Sequence, residues 1–85
     1  MVQRRPSAPP IPPGHALAEW LRTAARTQTW LASELGVSVK HVNEIVHGRT
    51  GFSPELAVKI AAVTRTEARY WLNLQNDYRL RRVGR

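Results

Sequence analysis

The fold turns on Gln28-Thr29-Trp30-Leu31-Ala32-Ser33-Glu34-Leu35-Gly36-Val37-Ser38-Val39-Lys40-His41-Val42-Asn43-Glu44-Ile45-Val46-His47. Leu31 and Leu35 stand one helical turn apart and share a face. Val42 and Ile45 do the same further on. Ala32 is small, which lets two helix backbones approach closely. Gly36 suits the left-handed residue that ends a helix, because it has no β-carbon to clash. Val37 is expected to turn inward and plug the corner. Ser38 and Thr27 are good N-caps, since each hydroxyl can accept an orphan backbone N–H. The reading is two short helices joined by a tight turn, the second running from Ser38 to about Val46.

Leu31, Ala32, Leu35, Gly36, Val37, Val42 and Ile45 are the positions that the packing of a helix-turn-helix restricts, and each carries a suitable residue. A hairpin that merely packs would meet the same pattern. It would leave the polar outer face of the second helix without a use.

Outward from this unit, Leu17, Trp20, Leu21 and Ala24 follow the spacing of an amphipathic helix over about 15–25, with Glu19, Arg22 and Arg26 on its other faces. Trp20 among leucines reads as core. Trp30 lies off the Leu31/Leu35 stripe and is expected to be half exposed. Beyond the unit, Gly48-Arg49-Thr50-Gly51 forms a loop. Ser53 caps a fourth helix with Pro54 in its first position and Glu55 at the positive end of the dipole. Leu56, Ala57, Ile60 and Ala61 form its buried stripe. Thr66 is expected to cap a fifth helix, with Glu67 in its first turn. Trp71, Leu74 and Tyr78 mark one face of that helix, while Tyr70 and Leu72 lie off it. A helix apolar on more than one side needs a second partner, either a twin subunit or another protein. Tyr70, Trp71, Leu74 and Tyr78 are the candidate interface. The end, Arg79-Leu80-Arg81-Arg82-Val83-Gly84-Arg85, carries four arginines and no acid, which suits a helix C-terminus.

Residues 1–13 hold Pro6, Pro9, Pro10, Pro12 and Pro13, a density that forbids helix. They read as a proline-rich flexible arm, and 14–85 as the folded domain. The arm reads first as a solvated tail; alternatively, Arg4 and Arg5 on it could reach a minor groove. No apolar stretch follows them, so no secretory leader is expected. No apolar run approaches the roughly 20 residues needed to span a bilayer, and no membrane association is expected.

The 85 residues suit one domain, which at this size buries roughly 60% of its unfolded surface. Thirteen Lys and Arg against six Asp and Glu give a formal charge of +7 and favour a polyanionic partner. The chain has no cysteine, which excludes disulfides and thiolate metal sites and fits a reducing cytoplasm. His41 and His47, six apart on a helix, diverge by about 120°, and nothing completes a ligand set, so no metal or cofactor is expected. Ser33, Glu34, His41, Asn43 and Glu44 offer hydroxyl, imidazole and carboxylate, but no nucleophile–base–orienter logic joins them. The reading is not an enzyme. The fold class is all-α, with five helices.

Several blocks carry a family resemblance: Pro13-Gly14, Leu31-Ala32-Ser33-Glu34-Leu35-Gly36-Val37-Ser38, Val42-Asn43-Glu44-Ile45-Val46-His47-Gly48-Arg49 and Tyr70-Trp71-Leu72-Asn73-Leu74-Gln75. Over about 13–80 the chain resembles the lambda-repressor/Cro (XRE-type) helix-turn-helix regulators, and within them the HigA-type antitoxins. It departs from their pattern at Arg65-Thr66, where the family usually has a glycine, and in the proline-rich arm. The resemblance implies a cytoplasmic repressor and autoregulator that binds double-stranded DNA as a homodimer and has a RelE-like toxin as partner. The alternative is a phage Cro-like regulator with no toxin. It also implies that helix 38–46 enters the major groove. There Val39, Lys40, His41, Asn43 and Glu44 would face base edges. Lys40 can donate to guanine, Asn43 can pair with adenine, Val39 can touch a thymine methyl, and Glu44 can accept from cytosine or orient Lys40. Gln28, Ser38, Arg49 and Thr50 are the implied phosphate contacts, which set register rather than sequence.

Overall fold

Caps and corners set the frame. The computed structural model describes residues 11–83; most of the expected arm, Arg4 and Arg5 included, lies outside the described residues. Five helices follow in order: α1 Pro13–Ala24, α2 Gln28–Leu35, α3 Val39–Val46, α4 Pro54–Thr64 and α5 Ala68–Val83. Thr27, Ser38 and Ser53 each accept the N–H three residues on, at 3.0, 3.0 and 3.1 Å. Those bonds satisfy orphan donors at the starts of α2, α3 and α4. No helix among the described residues is long and apolar enough to cross a membrane.

The core draws on every helix. Leu17 and Leu21 of α1 meet Leu31, Ala32 and Leu35 of α2 and Val42, Ile45 and Val46 of α3. Leu56, Ala57, Ile60 and Ala61 of α4 close it from the other side, with Phe52 and Trp71. α2 packs on α3 and α4, α1 on α3 and α5, and α4 on α5. The α1–α3 approach is set by Gly14. A β-carbon there would overlap the Ile45 carbonyl oxygen, so any other residue forces the two helices apart.

Ala24, read as part of the α1 stripe, is exposed, and the frame departs from the sequence reading at three further places. α1 begins at Pro13, two residues early, because proline's fixed φ suits the first helical position. α5 begins at Ala68, so Glu67 lies just before it rather than in its first turn. Thr66 does not serve as the expected cap there. Its hydroxyl accepts the Trp71 indole N–H at 2.7 Å and meets the Thr64 hydroxyl at 2.7 Å, which donates to the Ile60 carbonyl at 2.8 Å. A buried indole must place its N–H, and Thr66 is the oxygen within reach. The third departure concerns tryptophan. Trp20 is half-buried at the edge of the core, stacked on half-buried Trp30 with ring centroids 6.1 Å apart, and Arg26 covers the Trp30 ring.

Candidate nucleic-acid interface

The turn between α2 and α3 aims the site. Gly36 takes φ 73° and ψ 32°, and its N–H bonds the Ala32 carbonyl at 2.9 Å. The Val37 N–H reaches the same carbonyl at 3.0 Å, which closes the C-terminus of α2 in a paired motif. Val37 is half-buried and Ser38 then starts α3. On α3 the inner face is committed: Val42 and Ile45 are buried against the core. The opposite face carries polar groups.

All five expected base-reading residues come together on that outer face. Val39 is 44% exposed and Lys40 is exposed, while His41, Asn43 and Glu44 are half-buried. Lys40 Nζ lies 3.8 Å from Glu44 Oε2, as expected for a carboxylate that orients a lysine one turn away. A bond invisible in the sequence links the two helices: Asn43 Nδ2 donates to Gln28 Oε1 at 3.2 Å. Asn43 keeps Oδ1 and one N–H, the pair of groups an adenine edge takes, and Gln28 keeps its amide donors. No local pattern marks a contact between side chains fifteen positions apart on polar surfaces.

The expected phosphate contacts flank this face. Gln28 opens α2 and is half-buried; Ser38, Arg49 and Thr50 are exposed. The Ser38 oxygen is used as a cap acceptor, and its O–H proton is left to donate. The Arg49 N–H bonds the Glu44 carbonyl at 2.8 Å, which ties the loop to the end of α3. Away from this surface, Arg22 donates to Glu19 on α1 and holds that exposed carboxyl below the usual carboxylate range.

The candidate partner face needs one correction. Trp71 is only 1% exposed, sealed by Phe52 edge-on at 6.0 Å and by the Thr66 bond, so it packs the core and meets no partner. Tyr70 is 48% exposed, and Leu74 and Tyr78 are half-buried. Gln75, unassigned from the sequence beyond its place in the resemblance, is buried and grips both backbone groups of Phe52.

Three relatives bear on this geometry. The helix-turn-helix family model matches residues 17–71. Virulence-associated protein I of Dichelobacter nodosus is 34% identical over 74 residues, 86% of this chain and 68% of that protein. The antitoxin HigA of Pseudomonas aeruginosa, solved with the higBA promoter, superposes with a TM-score of 0.79 at 38% identity. That match covers 84% of this chain and 78% of the other. An addiction-module antidote protein of the HigA family from Coxiella burnetii superposes with a TM-score of 0.81 at 30% identity, over 91% and 89% of the two chains.

Proposed function

The chain belongs to the helix-turn-helix family, and on that premise we propose that it is a DNA-binding, autoregulatory repressor of the HigA antitoxin type. The observation that carries this is the outer face of α3. It presents exposed Val39 and Lys40 with half-buried His41, Asn43 and Glu44, opposite the buried Val42 and Ile45, in a fold shared with an antitoxin solved on promoter DNA. In this reading α3 lies in the major groove, those side chains read base edges, and Gln28, Ser38, Arg49 and Thr50 hold phosphates. The protein works in the bacterial cytoplasm as a homodimer, and its second partner is a RelE-like toxin encoded beside it.

Two measurements test the reading. Binding sites are selected from random duplexes, and the selected site is then sought upstream of the gene itself. Enrichment of a palindrome found in that promoter is the expected result; no enrichment of any sequence overturns the repressor. For the partner, the adjacent gene is expressed alone and together with this one. Growth arrest relieved by coexpression is expected, and an adjacent gene without toxicity removes the antitoxin assignment while leaving the DNA reading intact.

A further inference from the structure

We propose that the C-terminal half of α5 and the loop after α3 form a second phosphate cleft, whose ligand is a phosphodiester of the duplex flanking the bases read by α3. This rests on the DNA-binding reading above. The loop Gly48–Gly51 and the side chains of Tyr78, Arg79 and Arg82 border a hollow of about 170 Å³. Arg49, exposed on that loop, is among the residues that line it. Sites for small molecules run to roughly 300 Å³ and more, so a nucleotide does not fit, whereas a single phosphate group does.

The cleft is built rather than a chance gathering of mobile arginines. Gln75 pins the loop to α5: its Oε1 accepts the Phe52 N–H at 2.6 Å and its Nε2 donates to the Phe52 carbonyl at 2.9 Å. Arg79 and Arg82 lie four and seven residues on, along the stripe that Gln75 begins. Arg79 Nη2 lies 3.2 Å from where a β-carbon would stand on Gly51, so its guanidinium is laid over the loop. Arg82 is held by the Tyr78 ring, with its guanidinium carbon 5.5 Å from the centroid.

The charge balance points the same way. Among the described residues no carboxylate lines the hollow, and none lies within ion-pair distance of Arg49, Arg79 or Arg82. Arg49, Arg79 and Arg82 all line the hollow with no carboxylate to offset their charge, which favours an anion there, and a guanidinium's forked donors match phosphate oxygens. The cleft is also tied to the recognition helix through the Arg49 N–H bond to Glu44. In the proposal, a duplex seated on α3 brings a flanking phosphate to this cleft. The arginine-rich end of α5 extends the binding surface instead of being a solvated tail.

The test uses the full chain, a selected duplex and a random one, with affinity measured against salt by fluorescence anisotropy. Removing one phosphate contact should flatten the log–log slope by about 0.9. Arg79→Gln with Arg82→Gln should lower the slope by about 1–2, weaken both duplexes by the same factor, and leave thermal unfolding and base preference unchanged. Arg79→Lys with Arg82→Lys should restore most of the slope. A wild-type slope in the double Gln variant, with sequence selection intact, overturns the cleft and leaves the DNA reading standing. A wild-type chain that binds neither duplex at low salt overturns both. Inorganic phosphate alone is titrated against the Gly48–Gly51 amide resonances. Weak, non-saturating shifts are expected; sub-millimolar saturation abolished by the Gln pair, with the salt slope untouched, assigns the cleft to a free anion and overturns the proposal.

Discussion

A methyl group at position 14 has nowhere to go. The β-carbon of Gly14→Ala would overlap the Ile45 carbonyl oxygen and stand 2.6 Å from the Ile45 carbonyl carbon and 3.0 Å from the Val46 α-carbon. All three are backbone atoms of the helix that would read DNA, so relief requires lifting α1 from α3 and opening the core at Leu17. Overpacking of this kind costs about 1–3 kcal/mol when side chains can yield, and here they cannot, so about 3 kcal/mol is expected. Urea unfolding should show the midpoint falling with little change in slope. A variant as stable as the wild type would mean that the helices are not so close. Position 65 predicts the opposite sign. Arg65 closes α4 at φ 60°, in the left-handed region that costs a side chain about 1–2 kcal/mol, while the Thr66 N–H reaches back to the Ala61 carbonyl at 3.0 Å. Arg65→Gly keeps the turn and removes the clash. Stability should rise by about 1 kcal/mol, lifting Tm by about 4–8 °C. This is the position where the family pattern has glycine, so the departure is one of residue and not of backbone.

At the scale of the element, α3 separates the two kinds of contact. Lys40→Ala should cost about 1–3 kcal/mol at a selected site and relax preference at one base pair. Arg49→Ala should weaken all duplexes alike and flatten the salt dependence, whereas Gln28→Ala, which removes no charge, should weaken binding with the salt dependence unchanged. Competition binding against a panel of single-base variants distinguishes the outcomes, and equal loss on every duplex for Lys40→Ala would remove its base-reading role. Gln28→Ala has an added consequence, because it frees the Asn43 side chain from its 3.2 Å bond and should blur the adenine preference as well. α2, α3 and α4 were legible in the sequence because each starts at a hydroxyl cap and carries its buried residues on one stripe. α5 was legible only in part. Its buried pair is Trp71 and Gln75, while Tyr70 and Leu80 stand exposed, so apolar spacing does not mark the inner face. A glutamine in a core is readable only once the Phe52 backbone it satisfies is known. The outer face of α3, by contrast, could be placed from the sequence, since it is what remains of the helix after Val42, Ile45 and Val46 are buried.

For the whole molecule, the open question is how one short helix would gain enough grip on DNA. Eight residues of α3 reach only a few base pairs, and a second copy one duplex turn away, roughly 34 Å, doubles the reading. In the proposed homodimer, the surface for that copy would be the outer side of α5. Tyr70, Leu74 and Leu80 border a groove there with Asn73, Asn76 and Asp77, and Tyr70 and Leu80 are 48% and 62% exposed. This face lies apart from the Gln75–Arg79–Arg82 stripe, so pairing would leave the arginine cleft open. Tyr70→Glu with Leu80→Glu would place four carboxylates across a two-fold contact and should convert dimer to monomer in sedimentation. Leu80 is exposed, and Tyr70→Glu gives up only an edge contact with Trp71, whose ring centroid lies 4.9 Å away, so the monomer fold should persist with a modestly lower melting temperature. Affinity for a full palindrome should then fall roughly 100-fold, as the second site loses its tether, while affinity for a half-site stays the same. An unchanged sedimentation coefficient would place the interface elsewhere. Equal losses on half-site and palindrome would instead locate the damage in the domain itself.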